Sequence, residues 1–196
     1  MDVSTDTSTD TSTDTTGPPV VIGVGNDFRR DDGVGPAVVQ ALRDMDALPD
    51  MVRLVCCDGE PARMIDLWHG ARLAIVVDAA VADSETVPGS VLRWESPGDE
   101  EGPRLRSDSG GSHALGPGTA LRLADVLGRS PGRLVAFAVI GSDFDLGPGL
   151  SEPVAAAVGR VTAEIVSELL REGRSARLDR GFGPCPETAP TGRLVP

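Results

Sequence analysis

The chain has 196 residues, enough for one well-filled core and short for two. Its 30 acidic and 18 basic residues leave a formal net charge of −12, which argues against nucleic acid or an anionic membrane as partner. Three cysteines make no disulfide framework, and neither a signal-peptide pattern nor a bilayer-length apolar run is present, so a reduced cytoplasmic setting is expected.

In chain order, residues 1–17 read as a disordered low-complexity tail built on Ser-Thr-Asp-Thr repeats. The run Pro19-Val20-Val21-Ile22 is apolar and β-branched, as a buried strand should be. It ends at Gly23-Val24-Gly25-Asn26, followed by Asp31-Asp32-Gly33-Val34-Gly35. From there Val34, Val38, Leu42 and Met45 recur at helical spacing, with Pro36 tolerable in a first turn. Val52–Cys57 reads as a strand whose two cysteines face opposite sides, and Ala62–Trp68 as a short helix. Leu73–Val77 is the clearest buried strand, and Ser90–Trp94 is another, introduced by the turn Pro88-Gly89. Glu95–Gly111 reads as a long polar surface loop, Leu115–Leu127 as a helix and Leu134–Ile140 as the last strand. Ser151 can cap a final helix with Val154, Val158, Val161, Ile165 and Leu169 in one stripe. Residues 173–196, rich in Arg, Gly and Pro, read as a second tail. Strands alternating with helices over residues 18–172 predict a single α/β domain: a three-layer α/β/α sandwich around a central, mostly parallel twisted sheet.

Open sheets of this kind bind ligands at the carboxyl ends of their strands. Asp32 follows the first strand, Asp78 ends the Leu73–Val77 strand, and His113 lies in Gly110-Gly111-Ser112-His113 before a helix. Two carboxylates and an imidazole suit a divalent ion such as nickel, zinc or iron, with coordination positions left open for water or substrate. Each residue also has an ordinary reading. Asp31 or Asp32 would serve as a helix cap or dipole partner, Asp78 as a turn residue and His113 as a loop histidine. His69 reads as a helix C-terminal residue.

Competing chemistries fare worse. A dinucleotide fingerprint needs glycine where Phe28 stands, and three nearby aspartates would repel pyrophosphate, although Asp58 sits where a ribose-binding acid belongs. The Gly110–Ala114 segment misses the nucleophile elbow at its last position, and Cys185 lies between prolines in the second tail.

Taken together, these motifs resemble the hydrogenase maturation endopeptidases, from about Val20 to Leu170. Gly23-Val24-Gly25-Asn26 with Asp31-Asp32-Gly33-Val34-Gly35 is similar to that family's opening signature. Ile75-Val76-Val77-Asp78-Ala79 is similar to its second metal-ligand strand, and Ser112-His113 to its third ligand segment. Val139-Ile140-Gly141 and Gly149-Leu150-Ser151 are similar to its closing portion. The resemblance implies an endopeptidase that removes the C-terminal extension of a nickel-loaded nickel–iron hydrogenase large-subunit precursor. It makes Asp32, Asp78 and His113 the nickel contacts, the nickel arriving with the precursor, and gives Asp58 a part in cleavage. Glu60 and Pro61 replace a glycine and a threonine of the family's pattern after Asp58-Gly59, which leaves the role of Asp58 open. The other readings are a non-catalytic, metal-sensing chaperone of the same precursor and a dinucleotide-binding oxidoreductase.

Overall fold

The computed structural model describes residues 15–46, 48, 51–81, 86–97 and 117–179. Five strands form one sheet: β1 (Val20–Val24), β2 (Arg53–Cys57), β3 (Ala74–Val81), β4 (Val91–Ser96) and β5 (Leu134–Gly141), in the order β2-β1-β3-β5-β4. All neighbours are parallel except β4, which runs antiparallel along β5. The connection from β3 to β4 is too short for a helical crossover, so β4 turns back to the sheet's edge and leaves the place beside β3 to β5.

Alternation along the strands sorts the core into two layers. Val21, Ile75, Val77, Val135, Phe137 and Val139 face α1 (Val34–Arg43) and α4 (Glu152–Asp179). Val20, Ile22, Ala74, Val76 and Ala136 face α2 (Pro61–Trp68) and α3 (Pro117–Val126). Each large side chain so buried contributes about 1.5–3 kcal/mol. The α4 stripe is as the spacing predicts, with Val154, Val161, Ile165 and Leu169 buried and Val158 at its margin. Cys57 is buried and Cys56 exposed, on opposite faces of β2. Among the described residues no helix is long and apolar enough to cross a membrane.

Several boundaries differ from the sequence reading. α4 continues to Asp179, past the expected end at 172. Gly173 is a weak breaker, costing about 1 kcal/mol inside a helix, and the Arg, Ala and Leu that follow it are good helix formers. At the other end Gly17, placed in the first tail, pairs with the Gly70–Arg72 segment; its N–H donates to the Gly70 carbonyl and its carbonyl accepts from Arg72. Residues 1–14 and 180–196 lie outside the described residues. Glu95, expected to open the long loop, instead belongs to β4 because it is held by ions. Its carboxylate meets Arg93 at 2.7 Å and Arg133 at 2.5 Å. Both arginines also meet Glu168 of α4, at 2.8 and 2.9 Å, and Glu168 is almost wholly buried. This cluster clamps α4 to the amino end of β5, away from the carboxyl rim of the sheet.

The Arg133 guanidinium pulls the Glu95 carboxyl down to about 2. Burial alone would raise Glu168, but Arg133 and Arg93 together bring it below the usual glutamate range. Both groups therefore ionise more readily in the folded chain than in the unfolded one. Their stabilisation is complete above the ordinary value of 4.5 and is lost as pH falls from there toward about 2. Glu168→Gln should cost roughly 2–3 kcal/mol at pH 7 and flatten the acid limb of the stability curve. Urea unfolding at pH 7 and pH 3 checks this; equal stability of variant and wild type at pH 7 contradicts it.

Candidate functional site

The strand order reverses direction around β1, which has β2 on one side and β3 on the other, and this opens a crevice at the carboxyl ends of β1 and β3. The β1–β3 ladder runs from Val20 opposite Ala74 to Gly23 opposite Val77. Asp78 is thus the first β3 residue beyond its pairing with β1. It does not end its strand, as the sequence reading had it. β3 goes on to Val81 because β5 continues to pair with it, and Asp78 lies opposite Ala138. The carboxylate is partly buried on the face shared with Ala74 and Val76, at the point where the β1 ladder stops.

Across the crevice, a short 3-10 turn (Arg30–Gly33) leads from the loop after β1 into α1 and carries Asp31 and Asp32. Two glycines permit this approach. Gly25 has φ +127°, and any side chain there would collide with the Asp32 carbonyl. A side chain at Gly35 would strike the carbonyls of Val24 and Val77, so the start of α1 presses directly on the ends of β1 and β3. Asn26 orients what emerges. Its backbone N–H donates to Asp32 Oδ2 at 3.0 Å, while its side-chain Oδ1 accepts from the Phe28 N–H at 2.9 Å.

Asp32 and Asp78 are close enough to disturb each other. Burial, then the negative charge of Asp32, pushes the Asp78 carboxyl up from 3.8 to about 7, only partly offset by the Ala79 N–H. Two carboxylates that hinder each other's ionisation in this way are chemically suited to receive a cation. They also bar pyrophosphate from the position where a dinucleotide would place it, which removes support from the oxidoreductase reading.

The neighbouring doublet residue has a different task. Asp31 has no exposed surface. Its carboxylate accepts from the N–H groups of Ser142 (2.9 Å), Asp143 (3.0 Å) and Ser151 (2.7 Å), and from the Ser151 hydroxyl (3.0 Å). Burial opposes ionisation, but these four donors outweigh it and hold the Asp31 carboxyl below the usual aspartate range. Asp31 therefore ties the loop after β1 to the loop after β5. Ser151, expected to cap the last helix, gives its hydroxyl hydrogen to this latch. This role is not legible in the sequence because its partners lie more than a hundred residues away.

Asp58 follows β2, with β1 between it and Asp78, and its side chain is exposed. Its Oδ1 accepts from the Glu60 N–H at 3.4 Å. Glu60 and Pro61 have a local reason to be there: Glu60 caps α2 by accepting from Ala62 and Arg63, and Pro61 opens the helix. Cys57, read from the sequence only as facing away from Cys56, is near enough to Asp58 and Asp78 to feel both charges. Burial, and then the charges of those two acids, raise its thiol. The third expected nickel contact, His113, lies outside the described residues. Among the described residues no three His, Cys, Asp or Glu side chains are grouped to hold a metal ion by themselves.

No family model matches the chain. Over 158 residues it is 28% identical to the hydrogenase 2 maturation protease of Escherichia coli (strain K12), covering 80% of this chain and 93% of that protein. Its fold is similar to the solution structure of an endopeptidase from E. coli, with TM-score 0.67 and 26% identity over 80% of this chain and 93% of that one. The hydrogenase maturating endopeptidase HybD of E. coli has the same fold, with TM-score 0.66 and 24% identity over 80% and 94% of the two chains. A hydrogenase 2 maturation peptidase from Thaumarchaeota archaeon SCGC_AB-539-E09 is similar with TM-score 0.55 and 27% identity, over 78% and 97%.

Two stability measurements separate the aspartates. Asp31→Ala leaves four donors without their acceptor and should cost about 3–5 kcal/mol at pH 7, read by denaturant unfolding; a loss below about 1 kcal/mol contradicts the latch. Asp78 behaves oppositely. Its carboxyl is raised from 3.8 to about 7, so its cost to the fold grows as pH climbs through that window and stands in full above it. Asp78→Asn should therefore stabilise the protein at pH 8, on the order of 2 kcal/mol, with little change at pH 4. An unchanged or lowered stability at pH 8 contradicts the repulsion.

Proposed function

We propose that this chain, a hydrogenase maturation endopeptidase in sequence and fold, trims the C-terminal extension of a nickel-loaded hydrogenase large-subunit precursor. The observation that carries the reading is the pair of mutually repelling carboxylates, Asp32 and Asp78, at the crevice between β1 and β3. Left alone they cost stability, and a cation delivered by the substrate relieves that cost. His113, by resemblance, supplies the imidazole that completes an oxygen and nitrogen set suited to nickel.

Recognition in this scheme is shared coordination. Asp32, Asp78 and His113 take up open positions on nickel that the precursor's cysteines already hold. The adjacent peptide is thereby fixed in the crevice, and a diffusive encounter becomes a positioned reaction. Binding also favours the ionised form of Asp78, since a divalent charge outweighs that of Asp32. Two routes to cleavage fit this arrangement: polarisation of the peptide carbonyl or a water by the substrate's nickel, or proton abstraction from water by Asp58 or Asp32. The sequence similarity to a named protease favours cutting over the chaperone alternative, which predicts binding without a product.

Incubation with nickel-loaded and nickel-free forms of the same precursor tests the scheme directly. Trimming is expected only with nickel present, and efficient trimming of the nickel-free form overturns docking through the metal. Asp32→Asn, Asp78→Asn and His113→Ala should each lower trimming about a hundredfold or more while the proteins stay folded. Retained activity removes that residue from the site.

A further inference from the structure

We propose that Phe28 and Leu146 form an apolar docking surface for the precursor protein, beside the carboxylates that meet its nickel. This rests on the function proposed above and adds to it the second contact by which the substrate is recognised. Phe28 is 74% exposed and Leu146 84% exposed, and they come from different loops on the carboxyl rim of the sheet. Their backbones adjoin. The Gly147 N–H donates to the Phe28 carbonyl at 2.9 Å, and the Arg30 N–H donates to the Gly147 carbonyl at 2.9 Å.

Large apolar groups exposed on a loose loop tip would mean little, but these are held. Beneath them lies Asp31, whose four hydrogen bonds join the same two loops. Beside them Arg30 pairs with Asp143 at 3.3 Å, and Arg29 donates to the Phe144 carbonyl at 3.4 Å. Arg30 holds φ +46°, a left-handed conformation unfavourable for a residue with a Cβ. Strain of this kind persists where the surroundings over-determine it, and it clusters at functional sites. The result is a pair of apolar side chains carried on a backbone already ordered before binding, which lowers the cost of docking.

Position selects the occupant. Phe28 is linked to the Asp32 carboxylate through Asn26 alone, by the two hydrogen bonds already described. A protein that brings a cation to Asp32 therefore lies against Phe28 and, across the bridge, Leu146. A second copy of this chain is a poor occupant, since each carries a net charge of −12 and pairing through this rim would close the crevice. The chemistry that fits is an apolar depression on the folded precursor next to its metal-bearing cysteines.

The test is steady-state trimming of the nickel-loaded large-subunit precursor from the same organism by the full chain and by Phe28→Ser and Leu146→Ser. Val126→Ser serves as a control, since Val126 is equally exposed (84%) but ends α3 on the connection into the amino end of β5. Each of the two variants is expected to raise KM about tenfold, with kcat within about twofold, and Val126→Ser to change neither. Wild-type trimming with unchanged KM in both variants overturns the docking surface and leaves the proposed function standing. A fall in kcat at constant KM, or a dimer of the wild type that either variant dissociates, also overturns it. A wild type that never cuts the precursor overturns the proposed function and this surface with it.

Discussion

A buried carboxylate organises the working end of this molecule. Asp31 sits in the 3-10 turn before α1, with no exposed surface, and its two oxygens gather donors from the far end of the chain. The energy of burying that charge is offset by four directed hydrogen bonds, so the loop after β1 and the loop after β5 are held in one arrangement. One wall of the candidate site is mounted on this joint. Asp32 is the next residue, Asn26 and Phe28 lie in the same loop, and Leu146 lies in the loop that Asp31 ties down.

The doublet Asp31-Asp32 therefore divides two tasks that a single acid could not combine. A carboxylate saturated with donors is rigid and inert toward a metal. Asp32 is held by the Asn26 N–H but lies near Asp78, and backbone donors only partly offset the negative charge the two bring together. That tension has a use if the missing charge comes from outside. A site poised in this way distinguishes a partner carrying a cation from the same partner without one, because only the former removes the repulsion. Stability given up at Asp78 is replaced elsewhere, notably by the Glu168 and Glu95 clamp at the opposite end of the sheet, where acids and arginines are well matched.

Much of this was legible in the sequence, for physical reasons that differ by element. β-branched runs such as Leu73–Val77 and the stripe on α4 announce themselves because burial on both faces, or on one helical face, dictates composition. The placement of Asp32 after β1 and of Asp78 at the end of the β1–β3 ladder was legible because an apolar run followed by an acid marks the carboxyl end of a buried strand. Long-range polar contacts were not. Nothing near Asp31 distinguishes a latch from a helix cap, since its donors come from residues 142, 143 and 151. Glu95 reads as loop because Arg133 and Val135, which hold it in the sheet, lie far along the chain, and the end of α4 falls later than expected because one glycine weighs less than the helix formers around it. His113 lies outside the described residues, so its part in the site rests on the resemblance.

On the proposed function, Asp32 and Asp78 share a metal ion brought by the substrate. Nickel-edge X-ray absorption of the loaded precursor, alone and in complex with the enzyme before cleavage, addresses it at the atom concerned. Oxygen and nitrogen neighbours are expected to join the precursor's sulfur ligands on complex formation, and Asp32→Asn combined with Asp78→Asn to remove the carboxylate oxygen contribution. A nickel environment that is the same with and without the enzyme would contradict it.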